Sequence, residues 1–129
     1  MKLLLVLATV LSAQEKPVQL YEGMGIYHHA IHTSSVEAQK YFNQGLVLLY
    51  GFNRYEALRS FTKASELDPQ APMPKWGMAV AQAPHINMDL DGDVDLKKGC
   101  GFAQEASKLT ANAPAHERKY VETALAFTR

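Results

Sequence analysis

Cysteine is all but missing from this chain, and its scarcity removes several chemistries at once. The single Cys100 cannot close an internal disulfide, and without a C-x-x-C pair there is no zinc knuckle, thioredoxin-type couple or covalent haem attachment. Net charge is missing too. Thirteen Lys and Arg balance thirteen Asp and Glu, so neither nucleic acid nor an anionic membrane surface, both of which call for a basic excess, is expected as a partner. There is no glycine-rich phosphate loop, no G-x-S-x-G elbow and no His-Glu-x-x-His, and Gly23-x-Gly25 alone is too short to count as a nucleotide fingerprint. The chain is therefore expected to carry no cofactor and not to be an enzyme. A membrane-spanning run is also missing. Leu3 to Leu11, interrupted only by Thr9, covers about 14 Å as a helix, too little for the hydrocarbon core.

That short run has a different use. Met1 and Lys2 precede it, and the polar stretch from Ser12 to Pro17 follows it, the layout of a secretory signal peptide cleaved after Ser12 or Ala13. Residues 1–13 are read as this leader, and the chain is expected to be exported, to the periplasm or beyond. An ordinary buried first helix or strand is the alternative.

The most informative stretch runs from Ala38 to Pro69. Tyr41, Gly45 and Leu48 fall on one face of a helix, and Ala57, Phe61 and Ala64 repeat that spacing on a second. Gly45 and Ala57 are small where an antiparallel partner must come close, and Phe61 fills the gap. Ser34 and Glu37 form a capping box that starts the first helix near Ser35, Gly51-Phe52 makes the turn after Tyr50, and Asn53 with Glu56 caps a second helix ending at Leu67. Asp68-Pro69 closes it, because proline disfavours helix in the residue before it.

At Tyr41, Gly45, Leu48, Ala57, Phe61, Ala64 and Pro69 the chain resembles the tetratricopeptide repeat, a 34-residue helical hairpin. The resemblance implies an all-α fold of antiparallel helix-hairpin repeats, an α-solenoid of about five helices. It also implies a scaffold that binds a protein or peptide on a concave face lined by the first helices of successive repeats. By that reading Gln39, Phe42, Asn43, Leu46 and Leu49, with Trp76 and Val80 of the next unit, are the candidate peptide-binding groove. Plain core is the competing reading for the apolar members. The order of features, from IYHHAIHTSS through WGMAVAQAPHIN to ERKYVETALAF, is similar to a group of exported bacterial tetratricopeptide proteins of unassigned function. That group has a Gly-Pro-Asn run where this chain has Ala83-Pro84-His85.

Residues 14–34, with Pro17, Gly23 and Gly25 and no helical period, are expected to form an extended entry segment over the first helices. They hold the histidine cluster His28, His29 and His32. A transition-metal site on these three is the alternative function, that of a periplasmic metal-binding protein. Against it, His28 and His29 point to opposite sides of an extended chain, and packing against the first repeat accounts for them as well.

The helical domain is expected over 35–129, with repeat one at 38–71, repeat two at 72–113 and a last helix at 115–128. Ala79 lies one 34-residue period after Gly45, and Trp76 corresponds to Phe42, but Lys75 stands where an aromatic is expected. An insertion at 84–98 separates the helices of repeat two. It carries Asp89, Asp91, Asp93 and Asp95 around Gly92, a pattern related to calcium loops but lacking the closing glutamate. A solvated acidic loop that N-caps the next helix is the simpler account. That helix is expected from Lys97 to Asn112, with Cys100 between two glycines as a small residue near its start. On the last helix Glu117 and Glu122, beside Arg118 and Lys119, read as a solvated face. Since about three repeats are needed for a continuous core, a homodimer or continuation in a longer chain is also expected.

Overall fold

The computed structural model describes residues 16–85 and 95–126. The leader and Asp89, Asp91, Gly92 and Asp93 of the acidic loop lie outside the described residues. Within them the chain is all-α, with α1 (Val36–Tyr50), α2 (Arg54–Leu67), α3 (Pro72–Ala81), α4 (Leu96–Lys108), a 3-10 turn (Thr110–Asn112) and α5 (Ala115–Ala126). Each helix packs on the next, and α1–α3 and α3–α5 also touch, so the odd-numbered helices neighbour one another. Among the described residues no helix is long and apolar enough to cross a membrane.

The helix ends follow local chemistry, with displacements at the start of α1 and the end of α4. Ser35, not Ser34, is the N-cap of α1, its hydroxyl accepting from the Ala38 N–H. Ser34 is diverted because its own N–H donates to the Asp68 carboxylate across the hairpin, an interaction that outcompetes the capping box. Asn53 caps α2 as expected, accepting from the Glu56 N–H. Between them the Phe52 N–H bonds the Leu49 carbonyl and the Asn53 N–H bonds the Leu48 carbonyl, a Schellman closure. Phe52 therefore occupies the left-handed position (φ 61°) that glycine usually takes, and its ring is left exposed. Asp95 caps α4, accepting from the Lys98 N–H. This helix ends at Lys108, four residues short of the predicted Asn112, as the chain tightens into the 3-10 turn before Pro114.

The core is built around Phe61. Its ring lies wholly buried on α2, tilted against Phe42 at 5.5 Å between centroids, with Ala57 and Ala64 on the same helix giving α1 and α3 room to approach. A methyl group built on Gly45 of α1 would fall 2.5 Å from the ring, and one built on Gly77 of α3 would also fall 2.5 Å from it. The ring is thus held between two glycines on different helices, which joins the first hairpin to the helix that follows. Ala79 enters a second, smaller cluster with Ala103 and Ala124, where α3, α4 and α5 meet. Arg54 ties the units together at their other end. Its guanidinium donates to the carbonyls of Val80, Ala81 and Ala83, satisfying the C-terminus of α3 from the first turn of α2.

A methyl at either glycine cannot be relieved by moving the ring, because the other glycine's helix blocks the retreat. Overpacking costs about 1–3 kcal/mol, against a gain of about 1 kcal/mol in helix propensity. Gly45→Ala and Gly77→Ala are each expected to lower stability by up to about 2 kcal/mol in urea denaturation, and Phe61→Leu is expected to make both substitutions milder. A stabilised Gly→Ala variant would contradict this packing.

Candidate functional site: an extended segment on the inner face of the first helix

The entry segment makes two passes over α1. In the first, residues 16–21 lie along the α1–α2 edge. The Tyr41 hydroxyl donates to the Val18 carbonyl, and the Arg59 guanidinium donates to the Lys16 carbonyl. The Gln44 amide donates to the Gln19 carbonyl and accepts from the Tyr21 N–H. Gln44 is buried, and its second amide hydrogen goes to Ser60 Oγ, so this polar side chain is fully used. Gly23 (φ 75°) and Gly25 (φ 82°) then reverse the chain in a conformation that L side chains rarely adopt.

The second pass runs back down α1 towards its N-terminus. Gln39 and Asn43, one turn apart, face the same side and read the backbone of that pass. Gln39 Oε1 accepts from the Ile31 N–H at 2.9 Å, its Nε2 donates to the His29 carbonyl at 2.8 Å, and the same Nε2 bonds Asn43 Oδ1 at 2.9 Å. Asn43 Oδ1 also accepts from the His29 N–H, and its Nδ2 lies 3.0 Å from His28 Nδ1. Apart from the Asn43–His28 contact, the two amide side chains hold an extended backbone through groups that every residue presents. Side chains supply the rest. The His29 ring packs between Phe42 of α1 and Tyr120 of α5, at 6.2 and 5.7 Å between centroids, and Ile31 enters the core. Behind Tyr120 stands Trp76 of α3, edge-on at 5.2 Å.

Glu117 closes the far end, and here the structure corrects an expectation. Glu117 is fully buried rather than on a solvated face, because one carboxylate oxygen accepts the His32 N–H as the segment crosses to α5. Its neighbours Arg118 and Lys119 and its companion Glu122 are exposed, so the charge pattern of α5 conceals one inward-facing acid. The second Glu117 oxygen and His29 Nε2 are both buried with no hydrogen-bond partner.

The predicted groove residues are therefore divided. Phe42, Leu46 and Leu49 are buried in the main core; Gln39 and Asn43 bond the chain's own backbone; Trp76 and Val80 are half-buried on α3. The three histidines do not converge. His28 pairs with Asn43, His29 packs among rings and His32 engages through its backbone, and among the described residues no group of three His, Cys, Asp or Glu is placed to hold a metal ion. Gln39 and Asn43 were expected on this face from their spacing with Phe42; what the sequence does not show is that the chain's own residues 29–31 are the backbone they bond.

A different opening lies on the turn side of the hairpin. It is a cleft of about 500 Å³ lined by Phe52, Arg54, Tyr55, Leu58, Gln82 and His85. Burial lowers the affinity of Arg54 for its proton there, but three carbonyl acceptors keep the guanidinium in place.

Comparison with protein-family models, with curated proteins and with solved structures found no match.

The segment is anchored at its end by Asp68. Burial pushes this carboxyl up, but hydrogen bonds from the Thr33 hydroxyl and the Ser34, Gln70 and Ala71 N–H groups outweigh it and hold it below the usual range. A depressed folded value stabilises the fold above the unfolded carboxyl value of about 3.9, and the contribution is lost as pH falls through the folded value. Asp68→Asn is expected to lower stability at neutral pH, with its gap from wild type closing below about pH 4. Urea titrations from about pH 7 to about pH 3 measure this; a gap that does not change with pH would contradict it.

Proposed function

We propose that this chain is an exported scaffold of the tetratricopeptide type that holds a protein or peptide in extended form on the face shared by its first and third helices. The observation that carries the reading is the Gln39–Asn43 pair, which bonds both the N–H and the carbonyl of an extended backbone at His29. Main-chain recognition of this kind gives affinity, and neighbouring side-chain pockets give selectivity. The helix order supports the same reading, because consecutive hairpins with their odd-numbered helices side by side are the arrangement a repeat scaffold requires. Trp76 and Tyr120 extend the α1 face with aromatic surface, suited to anchoring a partner side chain. The balanced charge supports a protein partner over a nucleic acid. No catalytic step is assigned.

Random peptides displayed on phage and selected against the intact chain test the proposal. Gln39→Glu keeps side-chain size but replaces the amide donor to the His29 carbonyl with a carboxylate oxygen, setting acceptor against acceptor, and Asn43→Leu removes the oxygen that accepts the His29 N–H at similar size. Selected peptides are expected to bind each variant at least about tenfold more weakly, a loss of about 1.4 kcal/mol or more. Unchanged affinity would place the binding surface elsewhere, with the Phe52 cleft as the next surface to test.

A further inference from the structure

We propose that residues 28–32 are a built-in copy of the partner, and that the α1–α5 cleft takes an extended peptide with an imidazole or other planar ring followed two residues later by a branched aliphatic. This inference rests on the peptide-binding reading and adds to it the partner's chemistry and the means by which the site is kept closed.

Three observations carry it. The first is the mode of contact. Gln39 and Asn43 engage main-chain groups at positions 29 and 31, groups that any extended peptide presents, so the clamp is not specific to a covalently attached segment. Specificity falls to the two inward side chains. His29 fills the slot between Phe42 and Tyr120, and Ile31 reaches the core, whereas His28, Ala30 and His32 are exposed. Inward and outward residues alternate at period two, as they do along a bound strand.

The second is the quality of the fit. Within the occupied cleft one Glu117 oxygen and His29 Nε2 are buried and unpartnered, although buried polar groups are normally hydrogen-bonded. The internal segment is therefore an incomplete ligand. A peptide that brings a donor to Glu117, from a hydroxyl or an amide side chain near the position of His32, makes the same main-chain bonds and one more. Such a competitor makes one bond more than the resident segment, which offsets part of the advantage that the segment's effective concentration gives it.

The third is the way the segment is attached. It joins its first pass through Gly23 and Gly25, whose left-handed conformations form a turn with no neighbouring atoms within 4 Å of either glycine's missing side chain. Ile26, beside that turn, is 100% exposed, and the turn is held at its flanks by the half-buried Met24 and by the edge-on Tyr27–Tyr50 contact at 6.2 Å. Residues 28–32 have a pivot at one end and the Thr33–Asp68 tether at the other. Release of His29 and Ile31 leaves the tether and the first pass in place.

The test uses the intact chain and a synthetic peptide copying Ile26 to Thr33, acetylated and amidated. In a His29→Ser, Ile31→Ser variant the resident segment loses both anchors and the cleft is unblocked. The peptide is expected to bind this variant at least about tenfold more tightly than wild type, and addition of Gln39→Glu is expected to abolish the difference. No binding by a variant that keeps wild-type helical circular dichroism would overturn the proposal. If the variant does not fold, hydrogen exchange on the wild-type chain decides. Exchange of the Ile31 and His32 amides at least about tenfold faster than that of the Phe61 amide supports a segment that opens locally. Exchange of all three at the global unfolding rate overturns it. Phage-selected peptides that depend on Gln39 but bind wild type and the unblocked variant equally would leave the scaffold reading standing and defeat this inference alone.

Discussion

The ring of Phe61, gripped between Gly45 and Gly77, is the contact on which the arrangement of the molecule depends. A helix pair needs one close approach, and a third helix laid on that pair needs another. Here a single side chain serves both, since each glycine leaves the space of a methyl group for the same ring. This couples α1, α2 and α3 into one packed unit and fixes which face of α1 turns away from it. Ala57 and Ala64, both without exposed surface, keep the α2 backbone close enough for the ring to reach in both directions.

The orientation of α1 has a cost that the rest of the chain meets. With Gly45 turned to Phe61, the row Phe42, Leu46 and Leu49 faces inward beside it, and Gln39 and Asn43 are left along the border. A helix with so much apolar surface requires cover on two sides. The N-terminal segment provides both, by passing over the α1–α2 edge at 16–21 and returning across the inner face at 28–32. The buried Gln44 and the half-buried Gln39 and Asn43 are tolerated there because each meets a main-chain partner, while the buried Glu117 meets one on only one of its oxygens. The face is thus built to hold an extended chain, and in this molecule the chain it holds is its own.

Much of the first hairpin was legible in sequence because its signals are local. The small-large exchange of Gly45, Ala57, Phe61 and Ala64 gives the packing, and Asn53 and Leu67 bound α2 where capping and proline rules put them. The five helices and their order followed as well. What escaped came from distance along the chain. Nothing local marks Gly77, because its partner, the Phe61 ring, lies sixteen positions back in the chain. Ser34 carries a sound capping signal that Asp68, thirty-four residues away, overrides. Glu117 sits among exposed charges, and only its bond to the His32 N–H, eighty-five residues back, explains its burial. The site shows the same division. Its apolar members were visible from periodicity, whereas the use of Gln39 and Asn43 depends on where a segment without periodicity comes to rest.

The most direct measurement of the central claim, that residues 28–32 rest on the inner face of α1 and reach α5, is a nuclear Overhauser spectrum of the intact chain with only its His, Phe, Tyr and Trp rings protonated. Cross-peaks joining the His29 ring to both Phe42 and Tyr120, with Tyr120 joined in turn to Trp76, are the predicted result. A well-dispersed spectrum with the Phe42–Phe61 and Trp76–Tyr120 peaks present and both His29 peaks absent would contradict it, leaving the helices assembled and the face of α1 uncovered.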